Sequence, residues 1–260
     1  MTHLLRFLPR WDPSGLQALV PALPFLAAAP FELELSPLHI VLTIVLLVIC
    51  LGIHEAAHGW MAWKCGDSTA KDLGRITLNP LAHIDPIMTV VLPGFLLIVS
   101  QGQFVFGGAK PVPVNFHRLR HPWRDMSLVA LAGPFSNLLL AFLFMAAAHF
   151  FIKTGLYNGA SEYPYARTLD LLPSVLMQAV GFNLLLTVFN LVPIPPLDGS
   201  RLMAWLLPPG LRGPYVSIER FGLLIVILIT TSAPFMRFLN HSVYDLSRHV
   251  QNIVTLGGLW

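Results

Sequence analysis

Charge is what this sequence has little of. Lysine, arginine, aspartate and glutamate make up 11% of its 260 residues, less than half the roughly 25% of an ordinary soluble domain. That is too little to coat a globule of this size against water. With 55% hydrophobic residues and a mean hydropathy of +0.68, much of the surface must face lipid instead. Intrinsic disorder, collagen and coiled coil fail on the same composition. Basic runs are missing too. The net charge of +3 is scattered, and no aromatic–basic alternation marks a nucleic-acid surface. Cysteine is nearly absent: Cys50 and Cys65, if joined by one helix, stand roughly 22 Å apart, too far for a disulfide.

What is present is a set of apolar runs, and they predict an all-α polytopic membrane protein. Residues 35–53 contain no formal charge over a length that spans a bilayer core, and the helix is expected to continue to about Trp63, before Gly66-Asp67. Further spans are expected over 126–152 and 173–192, with a last one over 221–234. Residues 16–31 are apolar but interrupted by Pro21, Pro24 and Pro30, which suits a short span or a membrane-surface segment better than a cleaved leader. The expected total is five to six transmembrane helices. The chain divides into an N-terminal interfacial or short-span segment 1–35, a membrane core 36–208 and a C-terminal span and tail 209–260. No internal repeat is visible.

Lysine and arginine in short loops orient the spans. Lys64, Lys71 and Arg75 follow the first strong run, and Lys110, Arg118, Arg120 and Arg124 precede the run at 126, so both groups are expected on the cytoplasmic side. The short apolar stretch 86–101 lies between them and cannot be a simple single crossing. Either it folds back at Pro93-Gly94, or it crosses and residues 104–114, FVFGGAKPVPV, return as an extended or β segment. Non-helical backbone at membrane depth is tolerated only against protein or a wet cavity.

The sharpest chemical signal is His54-Glu55-Ala56-Ala57-His58. On a helix, positions i and i+4 share a face, so two imidazoles can grip one ion with a glutamate beside it. Zinc suits that chemistry. With ten histidines and five glutamates, chance gives this pattern in about one such chain in a hundred. A catalytic zinc usually takes a third protein ligand. Asp198 is the candidate, in Asn190-Leu-Val-Pro-Ile-Pro-Pro-Leu-Asp198-Gly199, where prolines break one apolar helix and glycine admits close backbone approach. A bare N-cap role for Asp198 competes with it.

Together these two motifs resemble the site-2 protease family, zinc metalloproteases that cut within the membrane. Gly133-Pro134-Phe135-Ser136-Asn137 is similar to that family's G-x-x-x-N motif. Gly74-Arg75, Leu78-Asn79-Pro80-Leu81-Ala82-His83-Ile84-Asp85-Pro86 and the later FGGAKPVPVN resemble its compact bacterial members, which carry no PDZ or nucleotide-sensing domain. The resemblance covers roughly residues 40–205. It implies one zinc ion per chain with His54, His58 and Asp198 as ligands, and Glu55 as catalytic acid/base. It also implies membrane-protein substrates with a transmembrane helix, and a bacterial cytoplasmic membrane with the site toward the cytoplasm.

A peptide bond in a helix is shielded by its own hydrogen bonds, so a substrate must unwind and can then be held by β-addition to a strand edge. The segment with Gly107 and Gly108 is the expected edge. Asn137 and Asn190, polar groups inside apolar spans, are candidates for substrate or oxyanion contact, whereas Asn183 reads as an interhelical hydrogen bond. His83 and Asp85 read as polar contacts at a turn. Two other functions compete: a membrane metal transporter, disfavoured by the glutamate and the lack of paired halves, and an inactive helix-binding relative, expected to have lost one of the four key residues. Nucleic acid is not an expected partner, and the sequence leaves oligomeric state open.

Overall fold

A computed structural model describes residues 37–99, 107–154 and 164–255. The expected N-terminal segment and residues 104–106 of the re-entrant stretch lie outside the described residues. Three helices are long and apolar enough to cross a membrane, within α1 (Pro37–Lys64), α4 (Pro122–Lys153) and α5 (Pro164–Asn190). A fourth candidate is the pair Pro209–Phe221 and Leu224–Thr230, bent by 78°. The protein is an all-α membrane protein, and no strand occurs among the described residues.

Helix α4 is central and packs against α1, α5, the short α6 (Gly199–Leu206) and α9 (Ala233–Val254). Lipid is as apolar as leucine, so membrane helices associate by close packing and interhelical hydrogen bonds rather than by escape from water. The buried stripe of α4 fits that rule: Ala130, Pro134, Asn137, Ala141, Met145 and Ala148 recur at three- and four-residue spacing. On α5, Val180 and Leu184 face Ala141 and Met145. Asn183 ties α5 to α1 by donating from Nδ2 to Cys50 Sγ at 3.2 Å, while also donating to the Ala179 carbonyl. Its expected interhelical role is thus met by a geometry of its own.

Where α1 ends and α4 begins, the loops knit into one basic end. Arg120 N–H donates to the Cys65 carbonyl. The carboxyl of Asp67, which is fully buried, accepts from the Asn115 and Thr69 backbones and from the Thr69 hydroxyl. Burial alone would push that carboxyl up, but those bonds, with Arg118 nearby, hold it below the usual carboxylate range. Short helix α2 (Thr69–Asp72) and a turn of 3₁₀ helix at Pro80–His83 complete this end.

The stretch from residue 86 departs from one expectation. Pro93-Gly94 does not fold it back: a π-helical turn, Pro86–Val91, runs directly into α3 (Leu92–Val99). Pro93 sits just past the junction where the backbone bonding shifts from π to α, and the helix continues through it. The rod is about 21 Å long, short of the roughly 30 Å of a bilayer core. The chain is back at the foot of the rod by Gly108, whose N–H donates to the Met88 carbonyl and whose carbonyl accepts from the Thr89 hydroxyl. Of the two expected forms, the fold-back at Pro93-Gly94 is therefore not found, and residues 100–106, between Val99 and Gly107, lie outside the described residues. Asp85 caps the rod by accepting from Ile87 and Met88 N–H. His83 is buried against Gly52 of α1, its Nε2 paired with the Thr77 carbonyl.

After Asn190 the Pro-rich loop leads into α6, then α7 (Pro209–Ser217), a 3₁₀ turn at Ile218–Phe221, α8 (Gly222–Thr230) and α9. The sequence reading had not singled out α9. Its Leu239, Val243, Ser247 and Val250 form one buried face on α4 and α5, too sparse in apolar residues to read as a span.

Candidate active site

His54 and His58 sit one helical turn apart on the face of α1 turned toward α4, and both are buried. The two helices run antiparallel, so α4 passes the imidazoles at Val129 to Asn137. His58 Nδ1 lies 2.7 Å from the Val129 carbonyl. Donation there fixes the hydrogen on Nδ1 and leaves the Nε2 lone pair free. His54 Nδ1 meets the Asn137 side chain at 2.9 Å, with the amide nitrogen drawn toward it, while Asn137 Oδ1 is buried without a partner among the described residues. Amide oxygen and nitrogen exchange by a simple flip. With Oδ1 on Nδ1–H the orphan is satisfied and His54, like His58, offers Nε2. Asn137 therefore stands behind an imidazole rather than in the open.

Gly133 is what lets the helices meet. A Cβ on it would lie 2.5 Å from His54 Cε1 and from Cε1 and Nε2 of His58. Sequence reasoning had placed Gly133 only inside a motif; the space it leaves is the floor under both rings.

The third corner comes from the proline loop. Asp198 occupies the N-cap place of α6 but makes no capping hydrogen bond with its side chain, so the competing N-cap role explains its position and not its carboxylate. Its Oδ2 lies 3.4 Å from Nε2 of His54 and 3.4 Å from Nε2 of His58, which are 3.0 Å from each other. The turn depends on Gly199, where a Cβ would meet the Leu191 carbonyl oxygen at 2.2 Å. That neighbour is backbone and cannot move aside.

This triangle fits a metal ion. Ligand bonds of about 2.0–2.1 Å at the tetrahedral angle set donor atoms roughly 3.3–3.4 Å apart. The donor set, two neutral imidazoles and one carboxylate, is one that zinc takes, and it leaves a fourth position open. Asp198 Oδ2 is buried and has no hydrogen-bond partner among the described residues, which is costly unless a cation faces it. These are the residues whose ligating atoms lie together within 4.8 Å among the described residues.

Glu55, half-buried, points off the histidine face. Its Oε2 accepts from Val112 N–H at 2.8 Å. Val112 lies in Pro111-Val112-Pro113, and prolines have no N–H, so the only amide hydrogen of that triplet is held by Glu55. Val112 is in turn buried against α1, where Gly59 leaves room for its side chain. Gly108 is tied inward at Met88 and Thr89, and Gly107 precedes it, exposed. Asn190 is the last residue of α5 and is half-buried; it opens the loop that carries Asp198.

Comparison with known proteins agrees with this geometry. The model of peptidase family M50 matches residues 42–231. A protein of Bacillus subtilis named "Putative zinc metalloprotease YwhC" is 38% identical over 201 residues, covering 76% of this chain and 82% of that one. A relative from Mycolicibacterium smegmatis with the same form of name, Rip2, is 29% identical over 220 residues, covering 82% and 76%. One from Methanocaldococcus jannaschii, MJ0611, is 35% identical over 113 residues, covering 43% and 49%. No solved structure matches.

Proposed function

This chain belongs to peptidase family M50, and from that premise we propose that it is a zinc-dependent endopeptidase that hydrolyses peptide bonds in or near transmembrane helices of other membrane proteins. The observation that carries the reading is the triangle of His54 Nε2, His58 Nε2 and Asp198 Oδ2, with sides of 3.0 and 3.4 Å, built from a helix inside the bilayer. His58 lies about 9 Å and His54 about 15 Å along α1 from Lys64 at the basic end. Basic loops favour the cytoplasm, so the site faces that side of a bacterial cytoplasmic membrane. The catalytic unit is residues 36–208.

His54, His58 and Asp198 hold the ion, their rings fixed by Asn137 and the Val129 carbonyl. Zinc, when bound, supplies a Lewis acid that polarises a carbonyl and lowers the pKa of water. Glu55 is the proton carrier. Its Oε2 is anchored on Val112 N–H, and Oε1 takes the proton of the attacking water and passes it to the leaving amine.

The same segment supports a mode of substrate binding. Gly108, Lys110 and Val112 direct their N–H groups inward, to the Met88 carbonyl, the His83 carbonyl and Glu55. The carbonyl of Lys110 accepts from Arg75 Nη2. In extended chain the next residues point the other way, so Ala109, Pro111 and Pro113 turn outward. That edge offers one donor and one acceptor at Ala109 and carbonyls alone at the prolines. An unwound substrate strand pairs there, a few residues from Glu55's anchor. Proline is tolerated at an edge because its missing N–H faces away from the protein.

Glu55→Gln tests the reading. Both proteins should hold about one zinc per chain, and only the wild type should cleave a model transmembrane helix in liposomes. Zinc bound with no cleavage by either protein, together with zinc flux into the liposomes, would mark a transporter and overturn the proposal.

A further inference from the structure

Nothing in its own loop positions the Asp198 carboxylate. The side chain makes no capping bond. Leu191 and Val192 N–H close on Thr187 and Phe189 at the end of α5 and Leu197 N–H on Ile194, but Pro193, Pro195 and Pro196 have no donor to add and none of these bonds reaches the Asp198 side chain. The loop is also held from outside, by the segment from α7 to α8. Tyr215 donates its phenol hydrogen to the Pro193 carbonyl at 2.7 Å. Glu219 takes both oxygens to one guanidinium nitrogen of Arg201, at 2.7 and 2.8 Å, and Arg201 N–H closes a turn on the Asp198 carbonyl. Gly222 lies against Pro196, where a Cβ would come within 2.8 Å of its ring. Behind these contacts Val192 and Leu197 of the loop pack on Val226 of α8.

We propose that Tyr215, Glu219 and Arg201 are positioning residues: the α7–α8 segment is a brace that presses the Asp198 loop against the two imidazoles and so completes the zinc site. The inference rests on the reading of Asp198 as a zinc ligand. It follows from where the bonds fall. Asp198 must keep Oδ2 within a few tenths of an ångström of its place for the triangle to hold, and metal sites depend on such supporting shells. Each contact of the brace lands within six residues of Asp198, at Val192, Pro193, Pro196, Leu197 or Arg201. A hydrogen bond to a charged partner is stronger than a neutral one, so the Arg201–Glu219 pair bears most of the load and Tyr215 less.

The test uses the full chain in nanodiscs, with Glu219→Gln, Tyr215→Phe, the charge exchange Arg201→Glu with Glu219→Arg, and Arg220→Gln as control. Arg220 is exposed and stacks on Phe221 without touching the loop. Two quantities are read: the resistance of bound zinc to a chelator, and amide hydrogen exchange of residues 192–201 in zinc-free protein. Glu219→Gln should weaken zinc retention by up to about fivefold, the worth of a partly exposed ion pair, and should speed exchange in the loop. Tyr215→Phe should do the same more weakly. The charge exchange should recover much of both losses, Arg220→Gln should change neither, and raised free zinc should return the cleavage rate of Glu219→Gln at saturating substrate to the wild-type value. Unchanged zinc retention and exchange in Glu219→Gln overturns the brace, as does an equal loss in Arg220→Gln. If the wild type itself takes up no zinc, the metal reading fails, and the exchange data still decide whether the segment braces the loop.

Discussion

Gly133→Ala sets two principles against each other, and the structure decides which wins. In the interior of a helix alanine is favoured over glycine by about 1 kcal/mol, so propensity alone makes the substitution stabilising. At this position the new Cβ would stand 2.5 Å from three imidazole atoms, about 1 Å inside ordinary van der Waals contact. The rings cannot simply swing away, because Val129 and Asn137 hold their far nitrogens. Either an imidazole gives up that bond or α1 and α4 separate locally, and overpacking of this kind costs about 1–3 kcal/mol. A displacement near 1 Å exceeds the roughly 0.5 Å tolerance of a preorganised site, so the donor triangle opens. The variant should insert and remain helical, lose zinc to a chelator about 10–100-fold more readily, and lose cleavage with it. Zinc content by mass spectrometry, circular dichroism and cleavage of a model helix measure the three outcomes. Full zinc affinity and activity in Gly133→Ala would refute the reasoning that the helix contact depends on a missing side chain.

The outward edge of the 107–115 segment gives a second outcome: Ala109→Pro removes its one donor without touching an inward bond and should lower cleavage about tenfold, the effect of one lost hydrogen bond, with zinc retained. Val112→Pro removes the anchor of Glu55 instead and should lower kcat more than KM in the same assay. Asp67 bears on pH. Its folded pKa lies below the unfolded value, so its stabilisation is present above about pH 4 and is lost as pH falls through the folded pKa. Asp67→Asn should therefore destabilise by about 1–3 kcal/mol at neutral pH and flatten the acid limb of a thermal-stability profile; an unchanged limb counts against it.

Much of the site was legible because its chemistry is local. His54 and His58 meet by helical periodicity alone, and Asp198 stands out as an acid following a proline break. Their convergence was legible only through family resemblance, since no pattern within 190–199 says which helix the loop will approach. Span ends were readable to within a few residues where Gly66-Asp67 or the proline loop stops a helix. Reversal at Pro93-Gly94 failed because a proline can be carried inside a helix where the backbone bonding shifts from π to α, as it does between Val91 and Leu92. The α9 helix went unseen for a different reason: periodicity reports a face only where apolar residues are dense, and one position of its buried face is Ser247. The contacts of Tyr215 and Glu219 have no sequence signature at all, for no spacing or motif relates either residue to Asp198.

The parts that bring the site together share a property: each works by lacking an ordinary group. Gly133 lacks the Cβ that would hold α4 away from the imidazoles, and Gly199 lacks the one that would strike the Leu191 carbonyl. Pro111 and Pro113 lack the amide hydrogens that would put further donors on the outward edge beside Val112, and Pro195 and Pro196 lack those that would continue α5 past the site. A membrane interior makes this economical. Added side chains would need partners there, and polar ones are costly without them, whereas an omitted methyl or amide hydrogen needs none. Substitutions that add atoms at these positions should therefore damage the site more than substitutions that shorten the lipid-facing side chains around it, such as Phe135 or Leu139, both of them exposed residues of the helix that carries Gly133.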